Sequence, residues 1–493
     1  MSEIVERFAR VHRDAPQRQL VHVPSARVSF TADAIWRAHL LHRARLEALG
    51  LGREDLLVCA AGNRASVVPL WLACRSMGLA VMPVDAGTTP TEIASLARKF
   101  GAVMAVVPQH MAASANFESG QAFIDDLSIV SIPASQPKPG LYRGAAALKL
   151  TSGSTGLPKA TFTTERHLVL DTEQIVEAMD VGPEDCQLAS IPLSHAYGIS
   201  NLLVPLLILG TPMVLRDGFV PHQFAADART CNVRVFPGVP FMFDHFVTHL
   251  PAVAWPPTVR RLISAGARLE PATAARFHQL FGVKIHSFYG TSETGGISYD
   301  DSTDIHPEPT VGRALPRVRI TLRPEEGAPA GGGRVHVSGG AVSAGYAGEQ
   351  PAAEGFTGEG FLTGDFGRYD KPGHLVLTGR VSSFINIAGR KVQPEEVEHV
   401  LRSMPGISDV RVLGAHDSSR GQQVVACLVG PGLDLGVLAV RQFCASRLAP
   451  HKIPRAIVRL DRIPLTERGK TDRVVLEALV RAHLGSKPQT GML

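Results

Sequence analysis

Three short apolar runs separated by two helical patterns, between Leu56 and Pro108, constrain the fold of this chain more than any other feature. Leu-Leu-Val-Cys-Ala-Ala (56–61), Ala-Val-Met-Pro-Val-Asp (80–85) and Ala-Val-Met-Ala-Val-Val-Pro (102–108) are apolar almost throughout rather than alternating. That is the mark of strands buried on both faces. Helices are expected over Ser66–Met77 and Thr91–Phe100. Strand, helix and strand in this rhythm give a mostly parallel sheet covered by helices on both sides. Similar units return at Met213–Leu215, Val233–Phe236, Arg261–Ile263 and Val283–Phe288. Ile4, Phe8 and Val11 stand at i, i+4 and i+7, so the chain opens with an amphipathic helix.

The texture changes twice further on. From about Pro329 short strands alternate with Gly-rich turns, in Gly-Ala-Pro-Ala-Gly-Gly-Gly-Arg-Val-His-Val-Ser-Gly-Gly (327–340), which suggests a small β subdomain over about 329–380. After Gly379-Arg380 a compact α+β pattern begins. A helix from Pro394 places Val397, Val400, Leu401 and Met404 on one face. Strands at 410–413 and 424–429 and a helix at 438–447 follow. At 493 residues the chain exceeds what one core supports. The expected fold is α/β: a large N-terminal domain of parallel-rich sheets (1–380), then a small α+β C-terminal domain (381–485) and a disordered tail (486–493).

Composition excludes several classes. Hydrophobic residues at 45% and charged ones at 19% are ordinary for a folded enzyme and argue against disorder. The net charge of +5 is uneven: from Ser383 onward 16 Lys and Arg meet 10 Asp and Glu, leaving the preceding part near neutral. A polyanion such as a nucleotide or coenzyme A suits that surplus. No Lys/Arg block is dense enough for nucleic acid. The six Cys are scattered among apolar neighbours, without zinc-like spacing, and are expected to be reduced and buried. Glu3, Glu6, Arg7 and Arg10 rule out a signal peptide at the start. Ile199–Leu215, broken by Asn201, Pro205 and Gly210, reads as core rather than a membrane span. A cytosolic location follows.

The densest chemical signal is Thr151-Ser152-Gly153-Ser154-Thr155-Gly156-Leu157-Pro158-Lys159. Its glycines let backbone approach phosphates, its hydroxyls and amides donate, and Lys159 supplies charge. The glycines are too close together for GxxxxGK[ST]. The one Gly-Lys-Thr, at 469–471, has Pro464 where that motif needs its first glycine. Tyr289-Gly290-Thr291-Ser292-Glu293-Thr294 follows an apolar strand, so its polar groups gather at a strand's carboxyl end, where open α/β sheets bind ligands. No GxSxG nucleophile elbow occurs.

Together with Ser264-Ala265-Gly266-Ala267-Arg268, Thr363-Gly364-Asp365, Gly379-Arg380 and Pro464-Leu465-Thr466-Glu467-Arg468-Gly469-Lys470, these motifs resemble, in order and over essentially the whole chain, the adenylate-forming superfamily. That superfamily includes acyl-CoA synthetases, adenylation domains of peptide synthetases and beetle luciferases. The resemblance implies ATP and Mg²⁺, with Thr151–Gly156 and Lys159 on the phosphates and Glu293 and Thr155 on the metal. Thr294 would stand at the phosphate and acyl end. Gly266, Ala267 and Arg268, with Ser287, Phe288, Tyr289, Gly290 and Thr291, would surround the adenine, Tyr289 stacking on it. Asp365 and Arg380 would hold the ribose. Lys470, on a mobile C-terminal domain, would be the catalytic lysine, a cation where attack of a carboxylate on the α-phosphate accumulates negative charge.

Ile191-Pro192-Leu193-Ser194-His195-Ala196-Tyr197-Gly198 resembles the family's segment beside the acyl pocket. His195, Tyr197 and Gly198 would line it with Val235, Phe236, Val239, Pro240, Gly295, Gly296 and Ile297. Amino-acid-activating relatives carry an Asp near this segment to hold the ammonium, and no acidic residue occurs from Gln187 to Leu215. A buried ammonium without counter-charge is costly, so an apolar fatty or aryl acid is expected. Leu448-Ala449-Pro450-His451-Lys452-Ile453-Pro454-Arg455 resembles a segment of acyl-CoA synthetases, with His451 in place of Tyr. Gly389, Arg390 and Lys391 would lie on the thiol side. The acceptor is then coenzyme A, with a carrier-protein phosphopantetheine as the alternative. The hinge position is Ser382, and Ser382-Ser383 replaces the charged pair usual in the family. Oligomeric state is not legible in the sequence.

Overall fold

A computed structural model describes residues 2–485 apart from 125, 139, 152–158, 327, 349–354, 382–384, 388–389, 393, 418–420, 431–436, 446, 449 and 467–470. It divides into two compact units, Met1–Ile320 with Val337–Leu362, and Thr321–His336 with Thr363–Leu493.

The first unit is built on two large sheets. The seven-stranded sheet runs, in spatial order, Glu118–Ile124, Leu127–Ser131, Met104–Pro108, Leu56–Cys59, Ala80–Pro83, Ala145–Thr151 and Lys159–Thr164. Its four central strands are parallel, and its edges are antiparallel hairpins. The expected strands at 56, 80 and 102 are present in slightly shortened form. Ala60, Ala61 and Val84 lie just past the strand ends and stay buried. Strand pleating explains the unbroken apolar runs. Leu57, Val81 and Val106 face one core with Phe8, Trp71 and Leu72. Leu56, Val58, Met82 and Ala105 face another, with Ile93, Ala97 and Phe100.

The nine-stranded sheet runs Arg313–Ala314, Gly295–Tyr299, Ile285–Thr291, Arg261–Ser264, Val235–Gly238, Gln187–Ala189, Met213–Leu215, Gln19–Val23 and Val28–Thr31. The six strands from Ile285–Thr291 to Gln19–Val23 are parallel. Leu188 and Val214, cross-strand partners on one face, share the core of Leu57 and Val81, so apolar side chains from the two sheets join in one interior. The helices between strands have defined starts and stops. Thr89 and Glu92 make a capping box ahead of Pro90–Phe100, and left-handed Gly78 and Gly101 end two helices.

The apolar stretch from Ile199 is a π-helical turn Ile199–Leu203, a helix Val204–Leu209 and the strand Met213–Leu215. Among the described residues no helix is long and apolar enough to cross a membrane. Five of the six Cys are buried and Cys231 is half-buried, all as free thiols.

The strand Gly360–Tyr369, whose residues from Thr363 belong to the second unit, pairs antiparallel with Leu375–Arg380, with Asp365 opposite Arg380. The small sheet to which they belong includes Arg319–Arg323, upstream of the Gly-rich turns that mark it in sequence. That strand escapes detection because Arg319, Thr321 and Arg323 face solvent. The C-terminal sheet sets Arg390–Val392, Ile385–Ile387, Gly421–Val429 and Asp409–Asp417 side by side, with Ala456–Arg459 parallel to Gly421–Val429. Helices Pro394–Arg402 and Val437–Ala445 pack Val397, Leu401, Val440 and Cys444 against it. The expected tail, 486–493, lies outside the described residues.

Candidate active site

The two ends of the phosphate motif are cross-strand partners: Thr151 closes one strand, Lys159 opens the next, and they pair in register. Ser152, Gly153, Ser154, Thr155 and Gly156 between them lie outside the described residues. Lys159 Nζ stands 4.9 Å over the ring of Tyr346. The Tyr346 hydroxyl donates to Glu293 Oε1 at 3.0 Å. One aromatic side chain thus joins the lysine of the first motif to the carboxylate of the second.

The backbone repeats this link. Phe162 N donates to Gly345 O at 2.8 Å, Ala344 N to Phe162 O at 3.1 Å and Ala347 N to Ala160 O at 2.7 Å, so residues 344–347 run along Lys159–Thr164 through an antiparallel bridge between Thr161 and Tyr346. Ser343 N donates to Glu293 O at 2.7 Å, and Thr161 Oγ1 to Ser292 O at 3.4 Å. Sequence reasoning did not single out Tyr346. Its one local signal is an aromatic inside Ala-Gly-Tyr-Ala-Gly, which by itself reads as a turn.

Tyr289 to Thr294 occupies a hairpin between Ile285–Thr291 and Gly295–Tyr299. Thr291 Oγ1 accepts from Thr294 N at 3.2 Å, and the buried Thr294 hydroxyl donates to Gly295 O at 3.0 Å. Ser287 pairs with Ser264 across parallel strands. Gly266, Ala267 and Arg268 follow as an exposed turn, Gly266 at φ +82°. The rings of Phe288 and Tyr197 lie 5.8 Å apart.

Two residues missed in the sequence hold the 191–198 segment. Asn63 Nδ2 donates to Ala189 O, Ile191 O and Arg216 O at 3.2, 3.0 and 3.1 Å, and its Oδ1 accepts from Leu193 N at 2.8 Å. Asp85 Oδ1 accepts from Ser194 Oγ at 2.9 Å and pairs with His195 Nε2 at 2.5 Å. Asn63 and Asp85 lie beyond the carboxyl ends of the parallel strands Leu56–Cys59 and Ala80–Pro83, the side where such sheets bind ligands. A Cβ on Gly198 would overlap the carbonyl of Pro192, so only glycine fits this turn. Tyr197 donates to Ile263 O at 3.1 Å, and burial pushes its phenol well up. Ile297 is buried, and Val239 leads into the helix Pro240–His249 beside Gly266.

One expectation needs correction. Val235 and Phe236 cannot both line a pocket beside Tyr197, because successive strand residues point to opposite faces. Val235 packs with Tyr197, Ile263 and Phe288, whereas Phe236 turns into an aromatic cluster with Phe224, Phe243 and Phe246.

In the second unit Arg380 Nε lies 2.8 Å from Asp365 Oδ1. Buried Thr363 holds the backbone of Asp365: its hydroxyl accepts from Asp365 N at 3.1 Å and donates to Val335 O at 2.9 Å. Arg390 and Lys391 lie on a strand paired with Ile385–Ile387. Ser382, Gly389 and Lys470 lie outside the described residues. Leu465 and Thr471, either side of the Lys470 segment, form an antiparallel bridge.

Residues 27–347 match the family model described as AMP-binding enzyme, and 396–470 match the AMP-binding enzyme C-terminal domain. The chain is 26% identical to the indoleacetate–CoA ligase of Aromatoleum aromaticum over 97% of its own length and 98% of that protein. It is 32% identical to triostin synthetase I of Streptomyces triostinicus over 72% of its own length and 67% of that protein. The ATP-bound MatB structure from Rhodopseudomonas palustris superposes with a TM-score of 0.80, at 22% identity, over 96% of this chain and 98% of that one.

Proposed function

The chain belongs to the AMP-binding enzyme family, and from that premise we propose that it is an AMP-forming acid–thiol ligase acting on an apolar carboxylic acid, with coenzyme A as acceptor. The observation that carries the reading is the Lys159–Tyr346–Glu293 link, which brings a cation and a carboxylate to one tyrosine at the strand ends. In the first half-reaction a carboxylate oxygen attacks the α-phosphorus of ATP. An acyl–O–P bond forms and the Pα–O–Pβ bond breaks, releasing pyrophosphate. In the second a thiol loses its proton and attacks the acyl carbon, giving a thioester and AMP.

Charge decides the assignments. Lys159 would neutralise departing pyrophosphate, with Ser152, Ser154 and Thr155 as phosphate donors, and Lys470 would meet the charge building at the α-phosphate. Glu293 and Thr155 would supply hard oxygen ligands, and such a sparse set suits Mg²⁺, which keeps waters and takes substrate phosphates. The metal would screen the phosphates. Asp365 and Arg380 would take the ribose hydroxyls.

Two observations favour an acid without an ammonium group. No acidic side chain occurs between Gln187 and Leu215. Two carboxylates do reach this segment from elsewhere, and both are engaged: Asp85 Oδ1 by Ser194 and His195, and the Asp171 oxygens by Gly296, Gln174 and Ser200. Full-length similarity to a protein named as indoleacetate–CoA ligase supports an aryl acid and coenzyme A. A second reading, loading of a carrier-protein phosphopantetheine, is favoured by Ser382-Ser383 at the hinge and by the similarity to triostin synthetase I. The test is mass-spectrometric detection of product from ATP, Mg²⁺ and an aryl-acid panel, with coenzyme A or with an acyl carrier protein. An acyl-CoA supports the first reading. A loaded carrier without acyl-CoA overturns it in favour of the second.

A further inference from the structure

Behind the Glu293–Gly296 turn lie two buried ionisable side chains that the proposed chemistry does not use. Lys149, two residues before the phosphate motif, and Asp171, on the helix Glu165–Met179, are each only 3% exposed. Asp171 Oδ1 accepts from Gly296 N at 2.7 Å and from Gln174 Nε2 at 3.3 Å, and Oδ2 accepts from Ser200 Oγ at 2.6 Å. Gln174 Nε2 also donates to Gly296 O at 3.3 Å, so the helix grips both the N–H and the C=O of Gly296. Thr172 Oγ1 donates to Ser200 O at 3.3 Å, so the same helix holds Ser200 at side chain and backbone. Gly295 takes φ +70°, and a Cβ there would overlap the Asp171 carboxylate.

Burial pushes the Asp171 carboxyl up, and Lys149 is the main influence opposing it. Burial likewise pushes the Lys149 ammonium down, opposed first by Asp171 and then by Glu293. Apolar residues of similar size would fill such a space at lower cost in desolvation. What they would lack is the directional hold on Gly296 and Ser200. Gly296 follows the Glu293-Thr294 pair, and Ser200 follows the Tyr197-Gly198 turn.

We propose that Asp171 is a positioning residue for acid activation, fixing the Glu293–Gly296 turn against the Tyr197–Ser200 turn and so setting where carboxylate and ATP meet. The inference rests on the reading of those two turns as the site of adenylation. Asp171 itself touches neither substrate in this scheme and acts through the two backbones it holds.

The test compares two double variants, K149M/D171N and K149M/D171A. K149M in both removes the buried ammonium, so neither is left with an unpaired cation. The asparagine variant keeps an acceptor for Gly296 and a polar contact for Ser200; the alanine variant keeps neither. In acid-dependent ATP–pyrophosphate exchange the asparagine pair should stay within about threefold of wild type in kcat. The alanine pair should fall by about tenfold or more with KM for ATP unchanged, since misplacement by an ångström costs up to roughly a hundredfold. S200A, which removes one arm of the clamp from an otherwise intact core, should lower kcat several-fold, again with KM for ATP unchanged.

Amide hydrogen exchange of 293–297 and 199–203 supplies a readout that needs no substrate. Both segments should lose protection in the alanine pair and keep it in the asparagine pair. Equal protection and equal kcat in the two pairs would overturn the proposal, as would kcat and Tm falling together while both KM values rise. Wild-type enzyme inactive with every acid would refute the ligase reading, and amide exchange would still decide whether Asp171 fixes the two turns.

Discussion

Replacing Tyr346 with phenylalanine removes one hydroxyl and leaves everything else that holds the ring. The ring still lies under Lys159 Nζ at 4.9 Å and edge-on to Phe356 at 5.2 Å, so the cation–π contact and the packing persist. What goes is the hydrogen bond to Glu293 Oε1. A hydrogen bond to a charged group contributes about 1.5–3 kcal/mol. At 3.0 Å this one is longer than the strongest O–H···O⁻ bonds, so the lower end applies. If the contact acts on the transition state, about 1.5 kcal/mol is roughly a tenfold loss in kcat. Tyr346→Leu also deletes the cation–π contact, a further ~0.5–1 kcal/mol. The assay is acid-dependent ATP–pyrophosphate exchange across a Mg²⁺ titration. The phenylalanine variant should show the tenfold loss and a higher Mg²⁺ midpoint, and the leucine variant more of both. Wild-type rate and Mg²⁺ dependence in the phenylalanine variant would refute the reasoning.

Three further outcomes are expected. Lys470→Ala should nearly abolish adenylation while ATP binding by calorimetry stays close to wild type; retained pyrophosphate exchange would remove Lys470 from the chemistry. Asp365→Ala should weaken ATP binding by about 2 kcal/mol through lost ribose contacts, and an unchanged Kd would argue against that assignment. Burial pushes His42, whose ring nitrogens have no partner among the described residues, down to about 4. The unfolded chain takes up a proton near the ordinary value of about 6.5 that the folded one refuses. Stability should therefore fall as pH drops from about 6.5 to about 4, by at most about 3 kcal/mol from this group. His42→Leu should flatten that limb in denaturant titrations at pH 7 and pH 4.5, and equal acid losses in the two proteins would rule His42 out as the cause.

What was legible in the sequence divides along physical lines. Leu56–Cys59, Ala80–Pro83 and Met104–Pro108 are buried on both faces, so their apolar runs announce them. The edge strand Glu118–Ile124 and the strand Arg319–Arg323 show polar residues to solvent and leave no such run, and the buried strand Leu127–Ser131 is interrupted by Ser128. In the site, Lys159 and Glu293 stand in short motifs whose residues are neighbours in sequence. The side chains that orient the site act across long separations. Tyr346 and Glu293 are 53 residues apart, Asp85 and His195 110, Asp171 and Gly296 125, and Asn63 and Leu193 130. No local pattern carries such pairs, because sheet order alone brings them together. Phe236 failed for a simpler reason: strand alternation gives a pocket one of two neighbours, and the sequence does not say which.

The central claim is ATP-dependent activation of an apolar acid and its transfer to coenzyme A. Its most direct test is acid-dependent pyrophosphate release from ATP and Mg²⁺ across fatty, aryl and amino acids, with and without coenzyme A. Release with one apolar class, accelerated by coenzyme A and accompanied by AMP, is the predicted result. Release confined to amino acids, or none with any acid, would contradict it.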